Sequence, residues 1–187
     1  MRAFLAVAVE GEETLARLKA LLAQLREVRG LRAVPAHQLH FTLRFFDDLP
    51  DAKVAAAKAA TARAAGSSSP FPLNLSGLGT FPPHRPARVL WVGSAEGSEK
   101  LVSLASAVEE EFTLEGFAPE ARLFSSHLTL ARVKDPRAAR DVSVFVSANG
   151  SFDGGTTEVR ELVLYQSVLG PAGAAHTPLG RFPLASR

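Results

Sequence analysis

The chain opens on an apolar run, Phe4 to Val9, which suits a buried strand and is too short to span a bilayer. Gly11, Glu12 and Glu13 follow, then Leu15, Leu18, Leu22, Leu25 and Val28. Those steps of three and four predict a helix with acids in its first turn and Arg29-Gly30 at its end. The segment AVPAHQLHFTLRFFDDLP, residues 33–50, reads as a strand through Phe46, stopped by Asp47, Asp48 and Pro50. Asp51 to Ala65 is alanine-rich and predicts a second helix, which GSSSP closes as a loop.

The plan then recurs loosely. FPLNLSGLGTF and ARVLWVG predict two strands joined by the turn PPHRP, and Glu99 to Glu115 a helix burying Leu101, Leu104, Ala105, Val108 and Phe112. ARLFSSHLTLARVK reads as a strand, residues 135–147 fit a helix or irregular structure, EVRELVLYQSVL is a strand, and RFPLAS a short final one. Strands interspersed with helices at uneven spacing predict an α+β fold. The 187 residues suit one unit, 1–187, built as two lobes, with one lobe in each half of the chain.

Composition removes several chemistries. With 47% apolar and 21% charged residues the chain is an ordinary globular protein. It has no cysteine, which excludes disulfides, thiolate catalysis and cysteine-bound zinc and fits a reducing cytosol. A formal charge of +2 does not indicate a strongly basic nucleic-acid platform, and the arginines are scattered. Neither H-E-x-x-H nor a phosphate-binding G-x-x-x-x-G-K-[ST] occurs, and no carboxylates pair at metal-ligand spacing.

One pattern survives. HFTL at His40–Leu43 and HLTL at His127–Leu130 repeat histidine, apolar, threonine, leucine, 87 residues apart (127 − 40). With 9 threonines and 25 leucines in 187 positions, a given histidine shows H-x-T-L by chance with probability of roughly 0.6%. In a strand, His40 and Thr42 share one face and Phe41 and Leu43 the other, with the same split for His127 and Thr129 against Leu128 and Leu130. Two such strands side by side would bring two imidazoles and two hydroxyls to one cleft. A neutral imidazole takes a proton, a protonated one gives it, and hydroxyls hold the free oxygens of a phosphate. That set serves in-line displacement at phosphorus without a metal or cofactor. Alternation also places Arg44 on the His40–Thr42 face as a phosphate contact. It places Arg122 and Phe124 opposite His127. Phe81 and Trp91 read as core, His37 as solvated, and His84, Arg85 and Arg88 as a surface loop.

The paired motifs resemble those of the two-histidine phosphoesterases, and most closely the RNA 2′,3′-cyclic phosphodiesterases, also called 2′-5′ RNA ligases. RAFLAV, HFTLRF, SHLTLARVK and LVLYQSVLGPAGAAHTPLGRFPL carry the resemblance along almost the whole chain. It implies a bilobal, pseudo-two-fold arrangement of antiparallel sheets with outer helices and an active cleft between the lobes. It implies hydrolysis of RNA 2′,3′-cyclic phosphate ends to 2′-phosphomonoesters, with ATP-independent 2′-5′ ligation in some members. The partners would be such RNA ends or small cyclic nucleotides, for a cytoplasmic monomer that needs no metal and no membrane. By motif, His40 would be the acid protonating the departing 3′-oxygen and His127 the base activating water. Thr42, Thr129 and Arg132 would hold the phosphate. Ser126 stands where the family commonly has proline, FFDD where it has Leu-Gly, and His176 where many members have tyrosine. An RNA-end binding module without turnover, or an esterase for another cyclic or 2′-5′ linked phosphate, are the rival readings.

Overall fold

The computed structural model describes residues 1–83, 86–171 and 173–186. The described elements run β1 (Ala3–Ala8), α1 (Glu12–Arg26), β2 (Leu31–Ala33), β3 (His40–Phe46), α2 (Val54–Gly66), β4 (Phe71–Phe81) and β5 (Val89–Ser94), then α3 (Ser98–Leu114), β6 (Leu128–Val133), α4 (Ala139–Ala148), β7 (Asp153–Val159), β8 (Glu161–Gly170) and β9 (Gly173–Pro183). The fold is α+β, as the pattern predicts. No helix among the described residues is long and apolar enough to cross a membrane.

Every strand pairing is antiparallel, in the order β7-β4-β5-β6-β3-β1-β8-β9, with β2 added to β6. The middle of this order is weak. β3 and β6 meet at a single paired position, Phe41 with Leu128. Four strands of the main order lie on either side of that seam, with β2 as a fifth on the β6 side, which gives two lobes related by a pseudo-two-fold axis. The lobes are not the two halves of the chain. One takes β1 and β3 from the start and β8 and β9 from the end, and the other takes the middle strands β4 to β7 together with the short β2 from the start. A sequence repeat alone could not show this exchange, because strand order is set by long-range pairing and not by local pattern.

Helical amphipathicity explains one face of the sheets. Leu18, Leu21, Leu22 and Leu25 of α1 and Leu101, Leu104, Val108 and Phe112 of α3 are all buried, and so are the alternate strand residues Leu5, Val7, Phe41, Leu128, Leu162 and Leu164. The helix α2 presents Ala57, Ala60 and Ala64, small enough for close approach to α3, β8 and β9. The opposite sheet face of the two lobes is left for the cleft.

The strand predictions differ from the structure in four places. The segment read as one strand through Phe46 leaves the sheet at residues 34–39, with a 3₁₀ turn over Ala36–Gln38 between β2 and β3. Residues 121–127 are not strand, because β3 and β5 reach β6 no further back than Leu128 and an unpaired strand has no partner for its backbone. EVRELVLYQSVL is divided at Arg160 into the end of β7 and β8, which enter different lobes. The short final strand is an 11-residue partner of β8. Residues 139–148 settle as a helix.

Candidate active site

The two motif strands begin in the same way. The ring Nδ1 of His40 lies 2.6 Å from the carbonyl of Gln38, and that of His127 lies 2.8 Å from the carbonyl of Ser125. A carbonyl can only accept, so in both rings Nδ1 carries the hydrogen and Nε2 is left to work. Each imidazole is held by the backbone two residues before it, and the pseudo-two-fold axis relates the two arrangements.

The strands also share a bulge. Thr42 pairs with Ala6 and Arg44 with Leu5, which leaves Leu43 unpaired. Thr129 pairs with Trp91 and Ala131 with Leu90, which leaves Leu130 unpaired. The leucine of each motif is thus the extra residue of a β-bulge, buried in the core. This overturns the expectation for Arg44. The extra residue reverses the alternation, so Arg44 leaves the His40–Thr42 face and enters the core beneath it. There it is 6% exposed and pairs with Glu109 of α3. The same reversal in β6 returns Arg132, one step later, to the cleft side, where it is exposed.

The seam brings the rest together. Antiparallel continuation from Phe41–Leu128 sets His40 beside Thr129 and Thr42 beside His127. The hydroxyls of Thr42 and Thr129 bond to no described residue. His127, Arg132 and His176 are all close enough for their charges to oppose protonation of His40. Burial is the larger cause and takes the His40 imidazole down from 6.5 to about 4, against the opposing effect of the Gln38 carbonyl.

This has a consequence for stability. The folded protein protonates His40 only near pH 4, whereas the unfolded chain does so near 6.5. Between those values the unfolded state holds more protons, so the contribution of neutral His40 is complete above pH 6.5 and is lost as pH falls. Thermal melts of the wild type between pH 6.5 and 5 are expected to show a loss of roughly 1–2 kcal/mol that His40→Asn does not show. Equal slopes for the two proteins would refute it.

Aromatic rings line the cleft around both histidines. Phe4 stacks on His40 at 4.7 Å and on Tyr165 at 5.1 Å, and His176 meets Phe4 edge-on at 4.8 Å and His40 at 5.6 Å. In the other lobe Phe81 meets His127 edge-on at 5.0 Å and packs on Trp91 at 5.3 Å. Phe81 and Trp91 are therefore cleft residues and not core. Trp91 lies over Gly79, where an added Cβ would stand 2.2 Å from the indole, so glycine is required for the ring to lie flat. His37 joins His40, Tyr165 and His176 around a recess at one side of the site. Phe124 packs at the edge of the core and Arg122 is exposed. His84 and Arg85 lie outside the described residues, and Arg88 before β5 is exposed.

Sequence reading missed Phe4 and Tyr165. Phe4 lies in a strand buried on both faces, and Tyr165 directly follows the buried Leu162, Val163 and Leu164, so at both positions the cleft side and the core side are apolar and alternation carries little contrast. The described residues include no group of three or more histidine, aspartate or glutamate side chains placed to hold a metal.

Comparison with known proteins agrees with this architecture. The family profile of the 2′-5′ RNA ligase superfamily matches residues 5–170. A protein of Archaeoglobus fulgidus named RNA 2′,3′-cyclic phosphodiesterase is 34% identical over 97% of this chain and 99% of its own. One of the same name from Thermus thermophilus is 33% identical over 98% of this chain and 90% of its own. A solved Thermus thermophilus structure superposes with a TM-score of 0.80 at 31% identity, covering 98% of each chain. E. coli LigT solved with 3′-AMP has a TM-score of 0.76 over 99% of this chain and 98% of its own, and at 24% identity it shares the fold. With its two motif strands, its pseudo-two-fold sheet and its full-length relatives, this chain belongs to the 2′-5′ RNA ligase superfamily.

Proposed function

We propose that the protein hydrolyses 2′,3′-cyclic phosphate ends of RNA to 2′-phosphomonoesters, with His40 and His127 as the acid–base pair and no metal. The carrying observation is the matched pair of imidazoles, each with Nδ1 tied to a backbone carbonyl and Nε2 free, facing one cleft. The relatives named RNA 2′,3′-cyclic phosphodiesterase support the substrate class.

In this reading a water oxygen attacks phosphorus in line with the P–O3′ bond. His127 Nε2 takes the proton of the water, the P–O3′ bond breaks, and His40 Nε2–H gives its proton to O3′. Thr42 and Thr129 donate their hydroxyl hydrogens to the non-bridging oxygens, and Arg132 balances their charge. Empty, the cleft holds His40 neutral, the wrong state for an acid. The entering phosphodiester is an anion, and an anion within a few ångströms favours the protonated ring. Substrate charge thus loads the acid, and the protein alone does not. With an RNA 5′-hydroxyl in place of water, the same groups would form a 2′-5′ diester without ATP.

The test is incubation with 2′,3′-cyclic AMP and with cyclic-phosphate-ended oligonucleotides in EDTA, followed by identification of the product. The expected product is the 2′-phosphate, formed at the same rate with and without chelator. A 3′-phosphate, or loss of activity in EDTA that added metal restores, contradicts the mechanism.

A further inference from the structure

On the cleft face of the two motif strands, the pseudo-two-fold correspondence fails five residues past each histidine. Five residues beyond His127 in β6 stands Arg132, and five beyond His40 in β3 stands Phe45. The matched bulges give the two positions the same direction, toward the cleft face. Phe45 pairs with Phe4, which stacks on His40, so the two phenylalanines share that face. In one lobe the position carries a guanidinium, and in the other an apolar ring left 38% exposed.

That ring does not stand alone. Arg2 lies two residues before Phe4 and so on the same face, and its guanidinium carbon sits 5.4 Å from the centre of the Phe45 ring. The backbone beneath it is fixed on both sides. The carbonyl of Arg2 accepts from the Ser167 amide, and the Met1 ammonium is held by Asp48 and by the Leu49 carbonyl. The nearby Asp48 is thereby engaged by the ammonium, and Arg2 makes no ion pair with any described residue. It remains exposed. A guanidinium stacked on an aromatic ring is pre-oriented and keeps its N–H edges free for an anion.

We infer that Arg2, carried on Phe45, is the counterpart of Arg132 in the other lobe and binds a phosphate of the RNA chain beyond the cyclised one. The inference rests on the reading of the protein as a cyclic phosphodiesterase of RNA ends. The two arginines stand at opposite ends of the paired motif strands, because β3 and β6 run antiparallel. Arg132 lies at the His40 end and influences that ring. Arg2 lies at the His127 end, where the chain of an oligonucleotide can reach while its cyclic phosphate occupies the centre. A nucleoside cyclic phosphate has no second phosphate to offer there. Arg2 is in this way a specificity residue that favours RNA ends over free cyclic nucleotides.

The experiment compares Arg2→Gln and Phe45→Leu with the wild type on two substrates, 2′,3′-cyclic AMP and a short oligonucleotide ending in a 2′,3′-cyclic phosphate. Arg2→Gln is expected to lower kcat/KM for the oligonucleotide by about tenfold, the effect of one lost charged hydrogen bond. The value for 2′,3′-cyclic AMP should stay within about twofold. Phe45→Leu should act in the same direction and less strongly, since it removes the ring and not the charge. Binding of a 3′-phosphorylated oligonucleotide, followed by fluorescence anisotropy against salt, should lose about 0.7 from its log–log slope in Arg2→Gln, as for one fewer contact to a single strand. Equal losses on both substrates, or none on either with an unchanged salt slope, would overturn the assignment. A wild type that turns over neither substrate would instead defeat the parent reading, and the anisotropy slope would still decide the role of Arg2.

Discussion

His127→Ala and His40→Ala are each expected to lower kcat/KM for 2′,3′-cyclic AMP by roughly 10²- to 10⁴-fold, the range of a single positioned acid or base. The two losses should not add. Once one proton-transfer partner is gone the concerted route is closed, and the remaining imidazole can assist only part of a slower reaction. The double variant should therefore resemble the worse single one. The variants should also separate in stability. His127→Ala is expected to melt close to the wild type. His40→Ala removes a half-buried ring stacked on Phe4, and with it the loss of stability expected below pH 6.5. Circular dichroism distinguishes loss of chemistry from loss of fold. A well-folded His40→Ala or His127→Ala protein with wild-type turnover would end the two-imidazole account.

The second large effect concerns Arg44 and falls on stability. Its guanidinium is bonded to Glu109 and, at 2.5 Å, to the Ala118 carbonyl, and it lies 5.1 Å from the Phe112 ring and 5.3 Å from the Phe46 ring. Glu109 is 33% exposed and its other oxygen accepts from the Glu120 amide, so water and backbone keep part of its solvation. Removing a buried cation from such a pair costs about 3 kcal/mol. In a chain of this length that corresponds to a fall of roughly 6–12 °C in Tm for Arg44→Met. Glu109→Gln in the Arg44→Met background should recover part of it, since the stranded charge is then gone. Catalysis at a temperature where the variant is folded should be nearly intact. An unchanged Tm with a KM raised tenfold would restore Arg44 to the phosphate, where simple strand alternation first placed it.

Arg44 also shows what local pattern can and cannot reveal. The motif residues His40, Thr42, His127 and Thr129 were legible because their chemistry is rare on strands and their spacing repeats. The helices α1 and α3 were legible because one face of each is exposed, which gives apolar periodicity a contrast. A bulge leaves no such mark. Leu43 and Leu130 look like any other apolar strand residue, yet each inverts the facing of everything after it. The expectation failed for Arg44 at that step. Phe81 and Trp91 were hidden differently, since a large ring is equally at home in a core and in a half-buried cleft wall. The split of the β8 segment at Arg160 depended on which lobe each piece joins, and only long-range pairing decides that.

That exchange of strands bears on how the molecule assembles. β1 acquires its second neighbour only when β8 exists, more than a hundred residues later, and β3 must first wait for β6. During synthesis the middle lobe can close as soon as β7 has emerged, while the earlier strands wait with an open edge. Such a chain is expected to mature from its centre outward, with the late capture of β1 by a hairpin made at the other end of translation as its slow step.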